Sequence, residues 1–397
     1  MSRLIICLCF LLLTFSCSKA QPKHPTSIIT GASQLNKYLP LLRGEKVALL
    51  VNQTSMIGNT HLVDTLISLN DKEGLGIKID KVFAPEHGFR GQAGAGEQVN
   101  NGVDTNTGLP IISLYGKNKK PTSEQLEGLD WVVFDIQDVG TRFYTYISTM
   151  HYVMQACAEN GVKMMVLDRP NPNGMYVDGP VLDTAQRSFV GMHPIPIVHG
   201  LTVGELAQMI NGEKWLDNGI SCDLTVISVE NYDHTMTYSL PVKPSPNLPN
   251  DLSIALYPSL CLFEGTDISV GRGTYAPFQQ IGHPDFTADS SYSFTPVSID
   301  GMSKYPKHQD EKCYGINFSK EPIVRKFTLK YLIEYYHKYE DKDKFFNNFF
   351  KKLAGIDQLE QQIKDGLTEE EIRATWEEDL EAYKEMRNKY LLYGDIE

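Results

Sequence analysis

The sequence IKIDKVFAPEHGFRG occupies residues 77–91 and joins an apolar run to a polar turn. Apolar residues alternate along its first half, which is the pattern of a buried β-strand. A proline and two glycines in its second half predict a sharp turn. Glu86, His87 and Arg90 lie in that turn, so an acid, a base and an anion-binding group meet at the end of one strand. Glu86 and His87 are therefore catalytic candidates, and Arg90 is a candidate for substrate binding.

Five further apolar runs have the length and composition of strands, at residues 46–51, 109–114, 131–134, 164–167 and 224–229. Segments with helical spacing separate several of them, and the connections are short. This alternation predicts an α/β fold with a parallel, doubly wound sheet. In such sheets a ligand binds outside the carboxyl ends of the strands, where the strand order reverses.

Polar residues collect at these predicted strand ends. We therefore expect a ligand site there, and the candidates for substrate binding are Asn52, Tyr115, Arg142 and Asp168. Asp138, at the end of the same strand as Arg142, is a further catalytic candidate. His199 precedes a predicted helix at 203–210, and a place in the cleft or a structural role fits it equally. No G-x-G-x-x-G motif follows the first strand, so no dinucleotide cofactor is expected.

The chain has 397 residues, a length typical of two domains. We predict a catalytic domain at 27–240 and a smaller α+β domain at 241–397, with the active-site cleft between them. The second domain adds another concentration of charge and glycine, in which Glu264 is a catalytic candidate and Arg272 a substrate-binding candidate. The net charge of −12 argues against a nucleic-acid partner, since such binding needs a basic surface.

Residues 1–26 have the features of a lipoprotein signal peptide and tether. Arg3 precedes a short apolar run at 4–15, which is too short to span a bilayer comfortably. Cys17 follows a small residue directly after this run, where lipidation is expected. We predict export to the periplasm, with the lipid at Cys17 as the link to the membrane; secretion without a lipid is the alternative.

The remaining cysteines, apart from two in the signal peptide, are widely spaced and form no CxxC pair. This spacing predicts buried free thiols and gives no indication of a zinc site. They are Cys157, Cys222, Cys261 and Cys313. The glycine-rich residues 91–96 predict a mobile loop over the site rather than a phosphate-binding loop.

Several motifs together resemble those of the NamZ exo-β-N-acetylmuramidase family, and they follow one another in that family's order. They are PEHGFRG at 85–91, SLYG at 113–116, DIQDVGTR at 135–142, DRPNP at 168–172, HG at 199–200, PSPN at 244–247, FEGT at 263–266 and GRGT at 271–274. The resemblance covers roughly residues 35–393. It implies a Rossmann-like N-terminal domain, no cofactor, and release of terminal N-acetylmuramic acid from peptidoglycan fragments. It also implies a catalytic role for Glu86.

Cleavage of a glycosidic bond usually requires one carboxylic acid and a second group. We assign Glu86 as the general acid. The second group stays open between Asp138, Glu264 and the substrate's own 2-acetamido group, with His87 as a proton shuttle in the last case. A muramic acid also carries a lactyl carboxylate, for which arginine is the best partner. The candidates for that role are Arg90, Arg142 and Arg272.

Two other classes of protein remain as alternatives. A lipid-anchored protein that binds cell-wall sugars or muropeptides without catalysis would also have a cleft between two domains. The convergence of acids at strand ends and the three tryptophans of the chain favour the enzyme, because a sugar-binding protein is expected to carry more tryptophans in its cleft. An esterase or amidase lacks support, since the sequence has neither a G-x-S-x-G motif nor a zinc cluster.

Overall fold

The computed structural model describes residues 27–91, 97, 100–287 and 291–395. The predicted signal peptide with Cys17 and most of the predicted glycine-rich loop lie outside the described residues. Among the residues that the structure describes, no helix is both long enough and apolar enough to cross a membrane.

Most of the strands in the described residues are short. They are β1 (Lys46–Val51), β2 (Met56–Ile57), β3 (Thr60–His61), β4 (Lys78–Ala84), β5 (Gly102–Val103), β6 (Pro110–Ser113), β7 (Trp131–Asp135), β8 (Lys163–Leu167), β9 (Leu224–Ile227), β10 (Gln280–His283), β11 (Ser293–Phe294) and β12 (Cys313–Asn317).

Seven of these strands form the central sheet, in the order β5-β6-β4-β1-β7-β8-β9. All neighbours are parallel except the edge strand β5, which pairs antiparallel with β6. The chain first builds outward from β1 through β4 and then returns to the other side of β1 with β7. The predicted doubly wound sheet is therefore confirmed, and its strand order reverses beside β1.

Strand β1 shows why these residues form a central strand. It is apolar along nearly its whole length and is buried on both faces of the sheet. Ala48 and Leu50 pack into one hydrophobic cluster, whereas Val47, Leu49 and Val51 pack into the cluster on the opposite face. The alternation follows from the two-residue period of a strand.

The helices are α1 (Leu35–Leu42), α2 (Leu62–Glu73), α3 (Ser123–Leu126), α4 (Tyr146–Asn160), α5 (Val203–Gly212), α6 (Asp251–Leu260), α7 (Lys330–Lys338), α8 (Lys342–Phe345), α9 (Phe350–Ala354), α10 (Gln358–Lys364), α11 (Glu369–Ala374) and α12 (Glu377–Arg387). Helices α3 and α5 both begin with a capping box. Helix α4 ends at Asn160, and the following Gly161 caps it in a left-handed conformation.

Two segments whose sequences have helical spacing, at 343–353 and 369–389, each form two helices instead of one. The first divides between α8 and α9 because the intervening backbone pairs with a distant loop. Asn347 donates its N–H to the carbonyl of Gly265, and Phe346 forms a bridge with Thr266. The second divides before α12, where Trp376 leaves the helical conformation and is buried. Tertiary contacts therefore override local helical propensity in both segments.

The residues beyond 250 form helices and a small antiparallel sheet in the order β10-β12-β11. Phe263 and Phe345 belong to the same hydrophobic cluster as Phe134 and Ile147 of the N-terminal part. A proline-rich segment at residues 243–249 joins the two parts. Pro244 and several of its neighbours are buried. The two parts thus share one continuous apolar core.

The four cysteines of the described chain are buried and unpaired, as predicted. They are Cys157, Cys222, Cys261 and Cys313.

Candidate active site

The polar turn after β4 is tight. The N–H of Gly88 donates to the carbonyl of Pro85 at 3.0 Å, and His87 between them has a φ of 69°. Left-handed backbone is unfavourable for a residue with a Cβ, and such strain concentrates at functional sites. His87 is buried beneath the turn, whereas Glu86 is half-buried. The turn therefore presents the carboxylate of Glu86 at the end of the sheet.

Two neutral hydroxyl groups hold the carboxylate of Glu86. The Tyr115 hydroxyl donates to Oε1 at 3.0 Å, and the Thr145 hydroxyl donates to Oε2 at 2.6 Å. Burial and the negative charge of Glu86 raise the pKa of Tyr115 above its ordinary value, so Tyr115 stays protonated and remains a donor. The two hydrogen bonds fix the orientation of the carboxylate.

A pair of tyrosines lies behind Glu86. The rings of Tyr144 and Tyr146 meet edge to face with centroids 4.9 Å apart. The Tyr146 hydroxyl donates to the carbonyl of Pro244 at 3.1 Å. Burial raises the pKa of Tyr146, and the charges of Glu86 and Asp138 add to this shift. Tyr146 thus lies between the two carboxyl groups.

Asp138 has a buried carboxyl group, and only one of its two oxygens accepts a hydrogen bond from the described residues. Its Oδ2 accepts the N–H of Gly140 at 2.7 Å, while its Oδ1 has no hydrogen-bond partner among the described residues. Burial raises the pKa of Asp138 to about 7. The amide nitrogen of Asn52 and the hydroxyl of Tyr144 are also buried, and both lie close to the hydroxyl of Tyr146. These polar atoms can receive groups from a ligand.

His199 lies next to Asp138. Its Nδ1 accepts the N–H of Leu201 at 3.2 Å, and its Nε2 lies 3.9 Å from Oδ2 of Asp138. Burial lowers the pKa of His199 to about 3, and the charge of Arg387 adds to the shift. The imidazole is therefore neutral near pH 7, and its Nε2–H faces the carboxyl group of Asp138.

The C-terminal part contributes Glu264 and Arg272, which form an ion pair. Nη2 of Arg272 donates to Oε2 of Glu264 at 3.0 Å, and Nε donates to Oε1. The guanidinium also lies 5.1 Å from the ring centroid of Phe278. Its positive charge opposes the rise in the pKa of Tyr115, which shows that Arg272 lies near the Tyr115–Glu86 pair.

Two of the three candidate arginines have structural partners instead of a place beside Glu86. Arg90 donates to Asp104 at 2.8 and 3.1 Å and to Asp64 at 3.2 and 3.3 Å. The guanidinium of Arg142 is fully buried, and it donates to four backbone carbonyls, those of Pro180, Ile195, Leu353 and Ala354. These contacts occupy both guanidinium groups within the protein, and substrate binding by Arg90 and Arg142 stays a prediction.

Asp168 is likewise held by contacts within the protein, and its role in substrate binding stays a prediction. Its buried carboxylate accepts hydrogen bonds from the hydroxyls of Thr202 and Tyr393 and from the N–H of Gly204. Both oxygens of the carboxylate therefore accept hydrogen bonds. These bonds join β8 to helix α5 and to the C-terminal end of the described chain.

Sequence reasoning missed the hydroxyl of Thr145 and the contribution of the proline-rich segment. Gln53, directly after β1, donates to the carbonyls of Lys243 and Pro244. Thr145 occupies the N-cap of α4 without capping it, which leaves its hydroxyl for Glu86. A polar residue at the start of an otherwise apolar helix was the available signal for Thr145.

Two family models match this chain almost end to end. The description of the first, at residues 47–252, is exo-β-N-acetylmuramidase NamZ, N-terminal, and that of the second, at residues 255–393, is exo-β-N-acetylmuramidase NamZ, C-terminal. The chain belongs to the NamZ family. It is 40% identical over 403 residues to the peptidoglycan β-N-acetylmuramidase NamZ of Bacillus subtilis strain 168, an alignment that covers 95% of this chain and 94% of that protein.

Solved structures with the same fold as this NamZ-family chain come from Bacteroides fragilis NCTC 9343. One DUF1343 family protein has a TM-score of 0.85 and 47% identity, with 94% of this chain and 100% of that chain covered. A second has a TM-score of 0.78 and 29% identity, with 92% and 99% covered. The whole NamZ architecture, including the C-terminal part, is therefore shared with these structures.

The geometry of this NamZ-family site suits acid–base chemistry at a sugar. Glu86 is a half-buried carboxyl group within reach of a ligand, and Asp138 is a second, deeper carboxyl group with an unfilled oxygen. Arg272 of the C-terminal part supplies a positive charge close enough to act on Tyr115. A pair of carboxyl groups with different surroundings is the usual requirement for hydrolysis of a glycosidic bond.

Proposed function

We propose that this protein is an exo-β-N-acetylmuramidase, a glycoside hydrolase that releases N-acetylmuramic acid from the non-reducing end of peptidoglycan fragments. The observation that carries the proposal is the 40% identity with the Bacillus subtilis enzyme over 95% of the chain. The geometry around Glu86 supports it, because a carboxyl group held by two hydroxyls is positioned to transfer a proton to a leaving oxygen.

Glu86 acts as the general acid in this proposal. It protonates the glycosidic oxygen as the bond to the anomeric carbon breaks, and it then accepts a proton from the attacking water. Tyr115 and Thr145 keep its carboxyl group oriented through both steps. Their hydroxyls stay neutral, so the proton is transferred between Glu86 and the reacting oxygen.

The 2-acetamido group of the sugar is the partner that the surroundings of Asp138 support. An unfilled carboxylate oxygen can accept the amide N–H of that group, while a hydroxyl such as that of Tyr144 can donate to its carbonyl oxygen. This arrangement would push the carbonyl oxygen toward the anomeric carbon. Glu264 is less suited to attack, because both of its oxygens accept hydrogen bonds from Arg272.

Arg272 is the residue that we propose for the lactyl carboxylate, since its guanidinium lies near Glu86 and Tyr115. Two of its nitrogens are used by Glu264, and Nη1 remains for the substrate. Arg272→Lys should lower kcat/KM for the muramide about ten-fold or more, because lysine cannot reproduce the planar, two-nitrogen contact of a guanidinium. An unchanged preference for muramides over glucosaminides in this variant would remove Arg272 from the role.

The direct test is hydrolysis of 4-nitrophenyl β-N-acetylmuramide and of the matching glucosaminide. We expect turnover of the muramide alone and a loss of at least about a thousand-fold in Glu86→Gln. Glu124→Gln is the matched control, because Glu124 is an exposed carboxylate in the first turn of α3. Turnover that survives in Glu86→Gln would exclude Glu86 as the acid. Binding without turnover would favour the sugar-binding protein.

We further propose that the enzyme is exported to the periplasm and anchored by a lipid at Cys17. The composition of residues 1–26 supports this. Mass spectrometry of the mature N-terminus should find a diacylglyceryl group on Cys17 in the native chain. Cys17→Ser should abolish the modification and move the protein from the membrane fraction to the soluble fraction. An unmodified terminus cut elsewhere would favour simple secretion.

A further inference from the structure

Two histidines and an aspartate converge in the C-terminal part, on the far side of Glu264 from the catalytic turn. They are Asp267, His283 at the end of β10, and His308. Nε2 of His283 lies 3.0 Å from Oδ2 of Asp267, and Nε2 of His308 lies 3.8 Å from Oδ1. The two imidazole rings are 4.6 Å apart and nearly perpendicular. Three separate segments of the chain thus direct one N or O atom each at the same point.

Among the described residues, the ion-pair partners of Asp267 are the two histidines, and no lysine or arginine forms an ion pair with it. Lys307 is close enough to feel the charge of Asp267, but its ammonium donates to the backbone carbonyls of Phe263, Thr266 and Ile268. A carboxylate flanked by two imidazoles is an arrangement that favours a divalent metal ion.

We propose that Asp267, His283 and His308 bind one divalent transition-metal ion of the zinc class, with water as the fourth ligand. In a tetrahedral zinc site with bonds of about 2.0–2.1 Å, neighbouring ligand atoms lie about 3.3 Å apart. The separations of 3.0 and 3.8 Å, which run to the two different oxygens of Asp267, bracket this value, and one ligand atom from each residue lies within 4.8 Å of the others. Metal binding would also replace the hydrogen bond of 2.6 Å between Nε2 of His308 and the backbone carbonyl of Asp267.

The surrounding residues fit the outer shell of such a site. Tyr339 donates its hydroxyl to Oδ2 of Asp267 at 2.6 Å. When Nε2 of His283 binds the metal, its ring proton moves to Nδ1, and Oδ2 of Asp285 lies 3.7 Å from that nitrogen. This contact would replace the hydrogen bond that Nδ1 accepts from the backbone N–H of Asp285 at 3.2 Å. A histidine oriented by a carboxylate is common at metal sites.

Solvent has a route to the cluster. The side chain of Asp267 is 38% exposed. Asp285 and Tyr339 also line a surface cavity of about 520 Å³. A metal ion can therefore enter the folded protein. It would tie β10 and the loop at His308 to the segment that carries Glu264, and so would brace the wall of the active site without touching the reacting sugar.

The test begins with purified enzyme treated with EDTA and then dialysed. We expect the metal-free enzyme to take up one Zn²⁺ per chain, measured by elemental analysis, and to gain about 2 °C or more in Tm at saturating Zn²⁺. Co²⁺ in place of Zn²⁺ should give the strong visible absorption of a four-coordinate site. Less than stoichiometric uptake, or the spectrum of a hydrated Co²⁺ ion, would overturn the proposal.

Variants separate this site from adventitious binding. Asp267→Asn and His308→Gln should each abolish stoichiometric uptake and the cobalt spectrum, and Asp285→Asn should weaken affinity about ten-fold. His337→Gln is the matched control, because His337 is exposed on α7 and lies outside the cluster. If Asp267→Asn does not fold, the metal uptake of His308→Gln and the cobalt spectrum of the wild type still test the proposal. Equal uptake by His308→Gln and wild type would contradict the assignment.

Discussion

At the scale of single residues, Glu86 depends on two neutral donors for its orientation. Thr145 contributes the shorter hydrogen bond, 2.6 Å to Oε2. Thr145→Val keeps the shape of the side chain and removes the hydroxyl, so kcat should fall about ten-fold while KM changes little. Thr145→Ser, which keeps the hydroxyl, should retain most of the activity. Steady-state kinetics on the nitrophenyl muramide measure both, and equal losses in the two variants would contradict the role of the hydroxyl.

The raised pKa of Asp138 predicts how the free energy of unfolding depends on pH. Its pKa is raised to about 7 in the folded protein, above the ordinary value of 3.8, so the folded state holds a proton that the unfolded state has lost. Its contribution to stability is therefore greatest below pH 4 and declines as the pH rises to about 7. Compared with Asp138→Asn, the wild type should lose up to about 1.4 kcal/mol per pH unit across that range.

Urea unfolding of both proteins at several pH values between 4 and 8 measures this difference. Above about pH 7 the difference should stay constant, because the carboxyl group is then ionised in both states. A difference that does not change between pH 4 and 7 would show that Asp138 is ionised throughout in the folded protein.

At the scale of elements, the two threonine capping boxes provide a matched comparison. Thr202 caps α5, is buried, and also donates to Asp168, whereas Thr122 caps the short and exposed helix α3. Thr202→Ala should cost about 2 kcal/mol or more, because it removes a cap and leaves a buried carboxylate oxygen short of a donor. Thr122→Ala should cost about 1 kcal/mol or less. Chemical denaturation measures both values, and equal costs would contradict the argument.

The sheet, both capping boxes and the place of Glu86 could be predicted from the sequence, because each depends on neighbouring residues. The polar turn follows directly from a strand pattern, and parallel strands bring their carboxyl ends together. The partners of Arg142 could not be predicted, since two of its four carbonyl acceptors belong to Leu353 and Ala354. The grouping of Asp267 with His283 and His308 was missed for the same reason, as no spacing in the sequence indicates it.

At the scale of the whole molecule, the C-terminal end returns to the sheet that begins the fold. Tyr383 donates to the carbonyl of His199, and Arg387 donates to the carbonyl of Gly200. Tyr393 donates to Asp168 at 2.5 Å and accepts the N–H of Val229 at 2.8 Å. The last helix therefore belongs structurally to the N-terminal part.

This return predicts cooperative unfolding. Because one apolar cluster spans both parts and the C-terminal end closes over it, calorimetry should show a single transition in spite of the length of the chain. Tyr393→Phe should lower stability by about 1–3 kcal/mol, since it leaves the buried N–H of Val229 without a partner and removes one of the two donors to Oδ2 of Asp168. The transition should stay single in this variant. Two separate transitions would show that the parts unfold independently.

The buried segment around Pro244 matters during synthesis of the enzyme, because it contacts residues that come much earlier in the chain. Gln53 and Tyr146 both donate to its carbonyl, so the residues behind Glu86 are held by a stretch synthesised long after them. A nascent chain that ends before Pro244 would carry Glu86, Tyr115 and Thr145 but neither this support nor the guanidinium of Arg272. We therefore expect a copy that terminates before Pro244 to be inactive on the cell wall.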